Sequence, residues 1–196
     1  MARQGDVIHN PVSGERVRFL KTARDTEGEL LQFELSLPAH GSVPFEHVHP
    51  RQEERFQVLS GTVRLRVGGK ERSLAAGEAL VGPQGIRHFL WNDSQEEARL
   101  IIDLRPPLQF AAMLETFFGL ARDGKVDKTG LPSLLRSAVI VSEYPNVVYR
   151  ARIPTALQKA GIAVLARVGR LLGYRAWYPQ YSSADSHVAP PRTETR

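Results

Sequence analysis

The 196-residue sequence contains no cysteine. Disulfides and thiolate metal sites are therefore excluded, and any metal must be held by nitrogen and oxygen. Long apolar runs are missing as well. The longest, Ala160 to Ala166, falls far short of the roughly 20 residues a membrane-spanning helix needs. The start of the chain, Met1-Ala2-Arg3-Gln4-Gly5-Asp6, has no apolar stretch behind it, which speaks against a secretory signal and for a reducing, cytoplasmic setting. No phosphate loop, nucleotide fingerprint or Ser-His-Asp order occurs, so those chemistries have no support.

What is present is an ordinary globular composition, 42% hydrophobic and 24% charged, in a chain long enough for one full core plus an appendage. The net charge of +5 is unevenly spread: residues 1–107 hold 14 basic and 15 acidic side chains, residues 108–196 hold 12 and 6. The basic character belongs to the second part. Such asymmetry can mark a nucleic-acid or membrane contact, but more often it is a solvated face.

From Asp6 to about Arg105 the pattern is one of short strands. Leu31, Phe33, Leu35 and Leu37 alternate with polar residues, as do Val63, Leu65 and Val67, and Leu100, Ile102 and Leu104. Turn signals such as Ser60-Gly61, Gly68-Gly69, Ala76-Gly77 and Pro83-Gln84-Gly85 separate them, which predicts an antiparallel sandwich or closed barrel. Pro106-Pro107 ends this region. The period then becomes helical over Leu108 to Arg122, again from near Pro132 through Ile140, and again from about Thr155 to Leu172, closed by Gly173. The third helix carries an apolar stripe of Leu157, Ala160, Val164, Val168, Leu171 and Leu172, with Lys159, Arg167 and Arg170 on another face. The tail 182–196 is polar and is expected to be disordered.

Two segments carry the chemistry. The first runs from Gly41 through His47-Val48-His49 and Glu54 to Gly61. The second runs from Gly77 through Pro83-Gln84-Gly85 and His88 to Asn92. Here the sequence resembles the cupin superfamily, whose motifs are G-x5-H-x-H-x4-E-x6-G and G-x5-P-x-G-x2-H-x3-N. Every anchor of both is met, at Gly41, His47, His49, Glu54, Gly61, Gly77, Pro83, Gly85, His88 and Asn92. The resemblance implies an all-β cupin barrel (a double-stranded β-helix, or jelly-roll) over residues 5–107, with an α-helical C-terminal extension over 108–181. It also implies one divalent transition metal per barrel (Fe, Mn, Ni, Cu, Co or Zn), and, since cupins are often dimers, a homodimer.

The residues agree with the resemblance. His47 and His49 are two apart, so on a strand both imidazoles leave the same face. Glu54 follows a turn-like Pro50-Arg51-Gln52 and begins the next strand. His88 follows the Pro-X-Gly turn and opens a later one. Three neutral imidazoles and a carboxylate suit a divalent transition metal. If Glu54 and His88 face inward, parity sends Phe56, Val58, Leu90 and Asn92 inward too. That pocket is mainly apolar and suits a small, largely apolar ligand. Phe89 and Trp91 then face outward and need cover. His9, His40 and His187 stay outside the pattern.

The resemblance covers the barrel alone. Within it, a single barrel with this ligand set looks like small-molecule dioxygenases, isomerases and related oxidoreductases. A metal-dependent dioxygenase is the first expectation, and a non-catalytic metal- and ligand-binding barrel the second. The third is a membrane-surface or partner-docking protein working through its basic helix. Nucleic-acid binding is not expected, since the helices form no helix-turn-helix pair. The apolar stripe of the third helix is expected to pack on a barrel, with Lys159, Arg167 and Arg170 in solvent.

Overall fold

The computed structural model describes residues 2–181. The alternating segments become strands, named in chain order: β1 (Val7–His9), β2 (Arg16–Lys21), β3 (Leu31–Leu37), β4 (His47–Val48), β5 (Glu53–Ser60), β6 (Thr62–Val67), β7 (Lys70–Ala75), β8 (Ala79–Gly82), β9 (His88–Trp91), β10 (Ala98–Arg105) and β11 (Tyr149–Arg150). The helices are α1 (Phe110–Arg122), α2 (Leu134–Glu143) and α3 (Thr155–Leu171). Among the described residues the strands form two antiparallel sheets, ordered β1-β2-β3-β10-β5-β8 and β11-β4-β9-β6-β7. This is the cupin architecture with a helical extension.

Register places the apolar rows. In the first sheet Ile102 of β10 lies between Phe33 and Phe56, and Leu100 between Leu35 and Val58. The next row reads Leu31, Leu104, Glu54, so a carboxylate takes the place at which the pattern calls for another aliphatic side chain. A buried charge in such a row is costly unless it is paired. In the second sheet Leu65 pairs with Leu90, and His88 lies between Val67 and His47. The polar cluster therefore forms where the polar ends of the two sets of rows face each other. The β6–β7 hairpin is closed by Gly68 and Gly69 at φ 58° and 88°. Two consecutive positive φ values are what a tight hairpin matching the strand twist requires.

The helical region departs from expectation in two ways. First, the barrel is not built from residues 5–107 alone, because β11 returns to the second sheet and pairs with β4, placing Tyr149 opposite Val48 and Arg150 opposite His47. A two-residue strand is too short for period-two reading to detect. Second, α3 docks by the face opposite to its aliphatic stripe. Its buried residues are Ala166 and Gly169, and Leu157, Val164, Val168 and Leu171 are exposed. Its partner is α2, at Leu135 and Val139. α1 meets the barrel as expected: Phe110 stacks on Phe33 at 6.1 Å between ring centroids, and Met113, Phe118 and Leu120 join the same core, as does Ile140 of α2. Lys159, Arg167 and Arg170 are exposed, as the pattern predicts.

Phe89 and Trp91 face outward but are not left bare. Their rings stack on each other at 5.3 Å, and the Arg66 guanidinium lies 5.4 Å from the Trp91 centroid. Each ring thus covers part of the other, and a cross-strand arginine lies over Trp91. The tail 182–196 and His187 lie outside the described residues.

Candidate metal centre

His47, His49, Glu54 and His88 come together: one donor atom from each lies within 4.8 Å of all the others. The carboxylate comes from the first sheet, and the second sheet supplies the imidazoles, with His47 on β4, His49 one residue past its end and His88 opening β9. His49, Glu54 and His88 are buried, and His47 is the member nearest solvent.

Every imidazole is turned the same way. The Nδ1 atoms face backbone carbonyls: His47 that of Phe45 at 2.9 Å, His88 that of Ile86 at 3.1 Å, and His49 that of Val147. A carbonyl only accepts, so each Nδ1 carries its proton and donates it. The Nε2 atoms point inward, to a single oxygen. Glu54 Oε2 lies 2.8 Å from His88 Nε2, 3.1 Å from His49 Nε2 and 3.9 Å from His47 Nε2. Pinning Nδ1 outward and presenting Nε2 inward is the outer-shell arrangement that orients histidine ligands.

The electrostatics follow. Burial alone would raise the Glu54 carboxyl, but the three imidazoles gathered around it, His88 at hydrogen-bond distance, hold it well below the usual carboxylate range. Burial lowers His47 to about 4, against the pull of Glu54, so that ring is neutral at physiological pH. Burial also disfavours charge on His88, yet its hydrogen bond to Glu54 outweighs this and raises its pKa. His49 is the odd member: its Nε2 is buried and has no hydrogen-bond donor. With Nδ1 donating to Val147, that nitrogen presents a lone pair to a carboxylate oxygen 3.1 Å away. A cation among these four donors would satisfy it, and three nitrogens with one oxygen suit a divalent transition metal. The residues fit the metal.

Of the pocket residues expected from parity, Phe56 is at the cluster, its ring 5.7 Å from that of His88. Leu90 and Val58 are buried in the rows behind it. Asn92 is a correction. It keeps inward parity, but its amide donates to the carbonyls of Leu37, Pro38 and Glu96, and its oxygen accepts from Ser94. It clamps a turn and has no polar atom left for a ligand.

Sequence reasoning missed four contributors. Phe110 of α1 meets the His49 ring edge-on at 5.6 Å. Gln52 is fully buried in the turn between His49 and Glu54 and donates to the carbonyls of Pro106 and Pro107 at 2.9 and 3.0 Å, tying that turn to the start of the extension. Val147 acts through its carbonyl, which no sequence pattern reveals. At Gly82 an added Cβ would lie 3.2 Å from His88 Nδ1, so the absent side chain leaves room for that ring. His40 is exposed and faces Gln95, away from the cluster.

Comparison with known proteins adds the following. A family model described as the cupin domain matches residues 33–103. A germin-like protein of subfamily T from Arabidopsis thaliana is 37% identical over 87 residues, covering 41% of this chain and 40% of that protein. The tetracenomycin polyketide synthase protein TcmJ of Streptomyces glaucescens is 33% identical over 81 residues, covering 41% of this chain and 52% of that one. The chain thus spans about half the length of these two relatives or less. The germin-like protein 3-4 of Oryza sativa subsp. japonica matches over more, 30% identical across 159 residues, 70% of this chain and 68% of that protein.

Proposed function

The chain belongs to the cupin superfamily, and we propose that within it the protein is a metal-dependent oxidoreductase of dioxygenase type acting on a small, largely apolar molecule. One observation carries the reading: three Nε2 atoms, each fixed by a carbonyl behind it, converge on Glu54 Oε2. His47, His49, Glu54 and His88 would hold the ion, which would supply Lewis acidity and, if iron, manganese, nickel or copper, one-electron chemistry toward dioxygen. The chain's own part is to orient and to exclude water. Phe56 and Phe110 close two sides of the donor set with aromatic rings. His47, nearest solvent, marks the side from which a ligand would arrive, and Phe45 stands edge-on beside it at 6.1 Å. An apolar wall of this kind favours an apolar substrate. The relative named as a polyketide synthase protein points to the same broad class of small molecule.

A second reading is a non-catalytic metal-binding barrel, favoured by how closed the cluster is: His49 and His88 are each 1% exposed. Elemental analysis of protein purified without added metal, followed by oxygen uptake with small aromatic and aliphatic compounds, separates the two. About one redox-active metal per chain with substrate-dependent uptake is expected. Metal without uptake selects the second reading, and no metal from any of the six ions would remove both.

A further inference from the structure

The aliphatic ridge of α3 points away from the protein. Leu157, Val164, Val168, Leu171 and Leu172 are 65, 61, 42, 87 and 63% exposed. At 100° per residue they fall within one arc of the helix. The opposite face is the docked one. At Gly169 a Cβ would lie 2.5 Å from Val139 Cγ2 and 2.9 Å from the Leu135 carbonyl oxygen, so α3 seats on α2 through the absence of a side chain. Rolling the ridge inward would forfeit that contact. Polar bonds hold the same orientation: Lys159 reaches Asn146 Oδ1 at 2.9 Å and Arg170 reaches Ser142 Oγ at 3.0 Å.

Charge says what the ridge meets. From Tyr144 to Tyr181 there are Arg150, Arg152, Lys159, Arg167, Arg170 and Arg175 and no acid. Arg167 borders the ridge and Arg175 lies just past its C-terminal end, both exposed. Arg152 and Arg170 pair with Glu46 and Glu143, so the charge at the ridge is that of Arg167 and Arg175. A second copy would add like charge there, and five aliphatic side chains are few against the roughly 20–30 residues a side of a standard protein interface. The tail fits no better, since Val188 is its only large aliphatic residue. An anionic lipid surface answers both demands, because headgroups pair with arginines while the acyl boundary accepts the ridge. No described helix is long and apolar enough to cross a membrane, so the geometry is that of a helix lying in the interface plane. Tyr178 and Tyr181 after α3 take no part: both pack against the core, and Tyr181 bonds Asp123 beyond α1.

We infer that α3 is an in-plane docking helix that seats the protein on an anionic membrane surface through Leu157, Val164, Val168 and Leu171, with Arg167 and Arg175 at the headgroups. The test is co-sedimentation of the full chain with phosphatidylcholine vesicles containing phosphatidylglycerol, and with phosphatidylcholine vesicles alone. Pelleting with the anionic vesicles only, weakened by salt, is expected. Arg167→Gln and Arg175→Gln should each lower the bound-to-free ratio about fivefold. The triple variant Leu157→Gln/Val164→Gln/Leu171→Gln should abolish pelleting while circular dichroism and metal content stay unchanged, which separates lost docking from lost folding. Failure of the parent chain to pellet overturns the inference, and so does pelleting that survives the triple variant. Sedimentation velocity reads the competing occupant: a dimer that the triple variant dissociates, without vesicle binding, would assign the ridge to a second copy.

Discussion

The barrel and α3 obey different rules about which residues go inside. On β5 and β9 the buried side chains are the ones that alternation selects: Glu54, Phe56 and Val58 on one, His88 and Leu90 on the other. On α3 the aliphatic stripe is equally clear in the sequence, yet it is outside, and Ala166 and Gly169 are inside. A strand has two faces, and sheet pairing forces one of them onto the core, so hydrophobicity decides. A helix can be rolled, and its contact face is chosen by how closely its backbone can approach a neighbour. Here a glycine against the Leu135 carbonyl makes that choice.

The largest effect that could break this division is on the barrel side. His49→Ala removes the one buried Nε2 that lacks a donor, together with its link to Val147. Metal content should fall by more than the 10- to 100-fold typical of outer-shell changes. Secondary structure by circular dichroism should persist, because the apolar rows around the cluster are intact. Loss of soluble protein would instead mean that the metal holds the two sheets together.

The next tests whether the two regions are separable at all. Tyr149→Pro breaks the pairing of β11 with β4 and should shift the Val147 carbonyl away from His49 Nδ1. About 10- to 100-fold weaker metal binding by competition with a chelator is expected, with all four ligands unchanged. Unaltered affinity would show that Val147 only follows the ring and does not orient it.

How much of this was legible follows the same division. The four ligands were readable because two strands and two turns carry them in fixed spacing, and period-two geometry converts spacing into facing. The helix bounds were readable too, since Pro106-Pro107, Gly124 and Gly173 punctuate the chain. Val147 was not, because a carbonyl has no sequence signature and its role depends on a strand arriving 98 residues after His49. The burial of α3 was misjudged because the helical period shows where the apolar face lies but not what α2 offers it. Asn92 was misassigned because parity gives direction and not depth, and its amide meets carbonyls of the 37–38 and 96 backbone before any cavity.

A smaller effect concerns α1, the helix packed on the barrel core. Glu115 is buried there, and its Oε2 has no hydrogen-bond partner. Burial pushes the carboxyl from the ordinary 4.5 up to about 7, with Asp6 adding to the shift. The folded form therefore binds this proton more tightly than the unfolded chain does. Its contribution is whole below the unfolded value and is lost as pH rises through about 7. Glu115→Gln should raise stability at pH 8 by about 1–3 kcal/mol and change little at pH 4. Urea midpoints at the two pH values measure it. A gain of equal size at both would point to packing rather than charge.

The smallest expected effect decides the comparison itself. Were the α3 stripe buried, as its amphipathic pattern suggests, Leu171→Gln would forfeit the roughly 1.5–3 kcal/mol of a buried leucine and strand an amide in an apolar contact. Leu171 is 87% exposed, however, so in aqueous buffer its side chain meets water in the folded and unfolded states alike. The change in unfolding free energy should then stay within about 0.5 kcal/mol. The partner substitution is Gly169→Val on the docked face. There the new Cβ would have to displace Val139 and the Leu135 backbone, at about 1–3 kcal/mol for an overpacked contact. Metal binding should be unchanged in both variants, which keeps the readout on helix docking. A costly Leu171→Gln beside a harmless Gly169→Val would reverse the orientation of α3 and return its burial to the rule that governs β5 and β9. The opposite ranking would establish that close approach by Gly169, rather than hydrophobicity, selects the buried face of this helix.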